Sequence, residues 1–173
     1  MPFAYYFKLS AARQRIYLQS DAIQSLDSPA GVASGARVAR IRADLERQDR
    51  AAVQAACQDL LDALVAGYGV PKIRARVLAR RPADGGGELH GLYEPDDAGT
   101  PARITVWMRT AARRNVVAFK TFLRTLIHEL CHHLDYELYM MPETFHTEGF
   151  YKRESSLVNA LLREESTTGA LLG

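Results

Sequence analysis

His128-Glu129-Leu130-Cys131-His132 sets two imidazoles four residues apart with a carboxylate between them. On a helix, residues i and i+4 share a face. Each imidazole can then give one nitrogen to a single tetrahedral ion at about 2.0–2.1 Å. Glu129 sits one residue off that face. It is badly placed to be a third ligand, but it can reach a water molecule beside the ion, which is the position of a general base. An H-E-x-x-H segment of this kind points to metal-assisted hydrolysis, with one zinc ion per chain as the expected cofactor.

A catalytic ion needs a third protein ligand and an open position. His146 is the first candidate, because the intervening loop can turn the chain back and His146 opens the run His146-Thr147-Glu148-Gly149-Phe150. A solvent-exposed capping role is the alternative for it. Glu148 is the main rival ligand, and Glu143 and Glu154 are weaker ones. Asp135 lies seven residues past His128 and returns to the metal-facing side. It can accept a hydrogen bond from a ligand imidazole or be an ordinary surface carboxylate. His133 points away from the pair and reads as structural. Cys131 faces away too and reads as core. Tyr136 and Tyr151 are candidate electrophilic partners for a reacting carbonyl.

These groups need elements to hold them. Residues 115–139 carry Val116, Phe119, Leu123, Leu126, Ile127, Leu130 and Leu134 as one apolar stripe, which predicts a helix bearing the motif. A last helix is expected over 147–162. Upstream, the spacing of Val38, Ile41, Leu45, Val53, Ala56, Leu60, Leu64 and Val65 predicts one long helix over 37–67, stopped by Gly67, Gly69 and Pro71. Residues 72–81 alternate as a strand with one basic face. Residues 84–87 form a turn, 88–93 a second strand, 95–101 a loop and 103–108 a third strand rich in β-branched and aromatic residues. Residues 9–23 read as a short helix and 28–36 as a flexible connection. The expected class is α+β, with a small three-stranded sheet packed on the long N-terminal helix and the motif helix, then a C-terminal helix. Residues 1–35 form a partly flexible N-terminal segment and 36–173 the domain.

Composition narrows the rest. The chain has 173 residues, 47% hydrophobic and 24% charged, which suits one globular domain. A net charge of +2 does not by itself call for nucleic acid. Residues 72–114 hold nine Lys or Arg against five Asp or Glu. Lys72, Arg74, Arg76, Arg80 and Arg81, joined by Arg113 and Arg114 if these fold nearby, could attract an anionic partner, but a solvated strand face protected by charge is the favoured reading. No membrane span or signal peptide is expected. Two cysteines, Cys57 and Cys131, make no disulfide framework, so a cytoplasmic setting is expected.

With these residues in view, the chain resembles the SprT-like zinc metallopeptidases over about residues 36–165. That family pairs H-E-x-x-H with a downstream H-x-x-x-F, matched here by His146 and Phe150. A G-x-Y-like strand element precedes the motif helix, matched by Gly91-Leu92-Tyr93 and followed by Ile104-Thr105-Val106-Trp107. Thr147 stands where the family has glycine. Metzincins fit less well, since they want glycine at 135 and histidine at 138, where this chain has Asp135 and Leu138. The resemblance implies a zincin fold, zinc held by His128, His132 and His146, Glu129 as base, and peptide-bond hydrolysis. In zincins the strand before the motif helix often receives substrate as an added strand, which here implies 103–108, with Ile104, Val106 and Tyr151 as substrate contacts. The substrate would be an extended or unfolded protein segment. The competing reading is a metal-stabilised module that binds protein or nucleic acid without cleaving it.

Overall fold

Two helices stand where the apolar spacing of 37–67 predicts one. The structure is a computed structural model describing residues 1–84, 87–88, 90–109 and 117–171. In it, α2 (Ser34–Glu46) and α3 (Arg50–Tyr68) are separate. Gln48 between them takes a left-handed φ of 57°. Asp49 then caps α3 by accepting from the Ala52 N–H at 3.0 Å. The break lets both apolar faces enter one core, with Val38, Ile41 and Leu45 from α2 joining Val53, Leu60, Leu61 and Leu64 from α3. Gly69 ends α3 in the left-handed conformation that favours glycine, with φ of 69°.

The class is α+β, with five helices and a small three-stranded mixed sheet among the described residues. The strands are β1 (Arg74–Arg80), β4 (Gly91–Glu94) and β5 (Arg103–Arg109), in the order β1-β5-β4. β5 pairs parallel with β1 and antiparallel with β4. The expected strand over 88–93 is divided. Glu88 ends β3 (Gly87–Glu88), which pairs with β2 (Ala83–Asp84), and β4 starts at Gly91. Residues 85 and 86 of the expected turn lie outside the described residues.

The basic strand face is present in part, with Lys72, Arg74, Arg76 and Arg80 exposed and Ile73 and Val77 buried, but Arg81 is buried as well. Arg113 and Arg114 lie outside the described residues. The outer edge of β1 is closed by side chains of α3. The Gln58 carboxamide donates to the Ile73 carbonyl at 2.9 Å and accepts from the Ala75 N–H at 2.8 Å. Gln54 accepts from the Val77 N–H and Arg50 donates to its carbonyl.

α4 (Phe119–Glu137) begins later than expected: Val117 and Ala118 are not helical, and 115–116 lie outside the described residues. α5 (Glu148–Leu171) runs nine residues past the expected end at Leu162. Ser166 and Thr167 satisfy their hydroxyls on the carbonyls four residues back within this extension. Arg42 of α2 clamps Glu165 with two hydrogen bonds at 2.6 and 2.8 Å.

The sequence sets residues 1–35 apart. In the structure they hold a short 3-10 turn (Ala4–Lys8) and α1 (Ala11–Ala22), and Ser34 and Gly35 already belong to α2. Tyr17 of α1 is fully buried against the rings of Tyr5, Tyr6 and Phe145. Among the described residues no helix is long and apolar enough to cross a membrane.

Candidate metal centre

α4 sorts its residues by side. Phe122, Leu123, Leu126, Ile127, Leu130 and Leu134 are buried in the core, and Cys131 is buried with them as a free thiol. His128 and His132 lie one turn apart on the side that faces an open cleft of about 940 Å³. After α4 the chain reverses through Met140, whose φ is 53°. The returning loop brings His146 over the pair. Its Nε2 lies 3.0 Å from the Nε2 of His128 and 3.0 Å from that of His132. Among the described residues this trio is the group able to hold a metal ion.

The neighbours fix which nitrogen carries each proton. His128 Nδ1 is 2.8 Å from a carboxylate oxygen of the buried Glu154, so Nδ1–H donates and Nε2 is bare. His132 Nδ1 is 2.8 Å from the Thr144 hydroxyl. That hydroxyl donates its own proton to Asp135 at 2.7 Å, so it accepts from His132, whose Nε2 is also bare. Asp135 is held in turn by the fully buried Arg153 at 2.7 Å. Two bare Nε2 lone pairs thus converge on a third imidazole, which can offer at most one proton between them. Such a set repels itself unless a cation shares it. Ligand nitrogens around a tetrahedral ion stand about 3.3–3.4 Å apart, given bonds of 2.0–2.1 Å, so the trio needs only a slight opening to fit one.

Electrostatics favours the neutral form of His132 and His146. Burial, then the charges of His128, His146 and Arg153, pushes His132 down to about 3. His146, although exposed as a residue, is also lowered, by partial desolvation of its ring and then by the charge of His128. Glu129 is 7% exposed, and burial raises its carboxyl to about 7. Its side chain packs against Gly91 of β4. A Cβ there would lie 2.5 Å from Glu129 Oε1, so only glycine leaves the carboxylate its space.

The rival ligands are used elsewhere. Glu148 pairs with Lys152 at 2.8 Å, Glu143 pairs with Arg13, and Glu154 orients His128. Asp135 is fully buried and acts on His132 through Thr144, so the surface-carboxylate reading fails. His133 is buried, donating from Nε2 to the Pro71 carbonyl at 2.9 Å and accepting at Nδ1 from the Tyr93 hydroxyl. Tyr136 and Tyr151 both line the cleft, and the Tyr151 ring stacks on His146 at 5.8 Å and 24°.

Ile104 and Val106 need correction. They are 0% and 1% exposed and face the core from β5, the central strand, whose two edges are both paired. They cannot touch a substrate, and β5 cannot accept an added strand. The strand on the cleft is β4, through Gly91, Leu92 and Tyr93.

Sequence reasoning missed Thr144, Arg153 and Tyr5, whose hydroxyl donates to the His146 carbonyl at 2.8 Å. Arg153 and Glu154 did leave a signal, since they interrupt the apolar row Phe150, Leu157, Leu161 of α5. Thr144 left none. No family model matches the chain, and neither a curated protein nor a solved structure does.

Proposed function

We propose that the protein is a zinc-dependent peptidase of the zincin, SprT-like kind, hydrolysing bonds in extended protein segments. The observation that carries this reading is the convergence of three Nε2 atoms beside a buried carboxylate. His128, His132 and His146 would hold the ion, with Glu154 and the Thr144–Asp135–Arg153 chain fixing two of the rings. A zinc ion held there supplies Lewis acidity, acidifying water and polarising a peptide carbonyl.

The remaining steps belong to this chain's own residues. Glu129 accepts a proton from the attacking water and passes it to the departing amine. Tyr136 and Tyr151, on the cleft walls, are the candidates to donate to the carbonyl oxygen. An extended substrate pairs with the outer edge of β4, and backbone pairing of that kind reads little sequence.

The test is Glu129→Gln. Zinc content should remain at the wild-type level, while hydrolysis of an unfolded protein substrate falls by about 10²–10⁴-fold. Full activity in this variant would remove Glu129 from the mechanism. Zinc binding by a wild type that cleaves no unfolded protein would favour a metal-stabilised binding module instead.

A further inference from the structure

The three candidate ligands are held in unequal ways. His128 and His132 are fixed by α4, whose inner face is buried in the core. His146 belongs to the loop between α4 and α5, and no helix holds it. α4 holds the start of that loop through the Thr144 hydroxyl and the Met141 N–H, both bonded to Asp135, and the other contacts come from the first 21 residues. Tyr5 donates its hydroxyl to the His146 carbonyl at 2.8 Å. Ser20 and Thr147 share a buried hydroxyl contact at 3.4 Å. Asp21 accepts from the Gly149 N–H at 2.9 Å. The approach there is so close that a Cβ on Gly149 would lie 2.3 Å from the Asp21 carbonyl oxygen. Arg13 forms a two-point ion pair with Glu143. Rings complete the contact, with Tyr17 against Phe145 at 6.2 Å and Phe3 edge-on to Tyr151, which stacks on His146.

We infer that residues 3–21 are a brace that positions the third ligand, and that Tyr5 sets metal affinity through the His146 backbone. The inference rests on the metal-centre reading above. The physical reason is preorganisation. A ligand on a loop binds only from the fraction of time the loop is in place, and the apparent dissociation constant rises as that fraction falls. Each contact to residues 3–21 raises the fraction. The Tyr5 bond acts directly, because it holds the backbone of the ligand residue itself. Tyr5 is a positioning residue, and nothing in the H-E-x-x-H motif encodes its effect.

Tyr5→Phe tests this in the full chain. It removes one hydroxyl and keeps the ring that packs edge-on to Tyr17 at 5.5 Å. Zinc affinity is measured by competition with a chromophoric chelator, and thermal unfolding is followed with and without zinc. The expected result is zinc bound about fivefold more weakly, the loss of roughly one hydrogen bond's net contribution. The gap between the zinc-loaded and zinc-free melting temperatures should narrow in step. Arg42→Gln is the control for a purely structural role. It breaks the ion pair with Glu165, far along the chain from the loop, and should lower the melting temperature of both forms without changing zinc affinity. A Tyr5→Phe dissociation constant within twofold of wild type would overturn the brace while leaving the metal centre intact. A wild type that binds no zinc would overturn the metal centre itself, and the brace with it.

Discussion

Along the outer edge of β1, side chains of α3 stand in for a fourth strand. Gln58 presents a donor and an acceptor with peptide-like geometry, and Gln54 and Arg50 take the next backbone pair. Along the outer edge of β4, no hydrogen bond among the described residues does the same. That edge, through Gly91, Leu92 and Tyr93, lines the cleft that holds His128, His132 and His146. An exposed row of unpaired N–H and C=O groups invites pairing with another chain, and proteins usually close such edges. Here one edge is closed and the other faces the candidate chemistry. The difference supports the proposal that β4 receives an incoming backbone.

The strongest way to break the comparison is at Gly91. The added methyl of Gly91→Ala would meet Glu129 Oε1 at 2.5 Å and Thr125 Cγ2 at 2.9 Å. The displaced group would be the buried Glu129 carboxylate. Hydrolysis should fall by about 100-fold or more, on the scale of losing a general base, with zinc content unchanged. Activity within a few-fold of wild type would mean that β4 and Glu129 are not coupled, and that the open edge has no special relation to the base.

The closed edge should answer differently. Gln58→Ala removes a donor and an acceptor from β1 and leaves the Ile73 carbonyl and the Ala75 N–H without their partner. The cost should be about 1–3 kcal/mol of stability, read by urea unfolding. Sedimentation should show new self-association as the freed edge finds a partner. A Gln58→Ala protein that is as stable and as monomeric as wild type would show that the helix cap does not protect the edge.

The same contrast marks how far sequence reasoning reached. The motif helix was legible because its chemistry and its burial share one period: histidines four apart, with an apolar stripe behind them. The α2–α3 break was missed, although Asp49 falls where the row Ile41–Leu45 calls for another apolar residue. The central place of β5 left a signal too. Ile104-Thr105-Val106-Trp107-Met108 is a nearly unbroken run of strand formers, the mark of a strand buried on both faces. β1 instead alternates with arginine, as an edge strand does. What could not be read is contact between distant loops. Thr144 carries no periodicity, and Tyr5 precedes His146 by 141 residues. The choice of His146 over Glu148 depended on which side of the loop faces the cleft, and two residues of spacing do not decide that.

The smallest expected effect lies on the open edge. Arg103 of β5 grips Glu94 of β4 with two hydrogen bonds at 2.8 and 2.9 Å, and both side chains are about 40% exposed. The hydrogen bond from Arg103 holds the Glu94 carboxyl below its ordinary 4.5. A carboxyl with a lowered pKa contributes its stability above the unfolded value, and the contribution fades as pH falls through the folded one. Solvent screening keeps it under about 1 kcal/mol. Glu94→Gln should therefore cost less than Gln58→Ala at pH 7, and its difference from wild type should shrink as pH falls below 4.5, both read by urea unfolding. A loss above about 2 kcal/mol would mean that this pair carries the edge. β4 would then be clamped as firmly as β1, and the contrast between the two edges would reduce to which polar groups do the clamping.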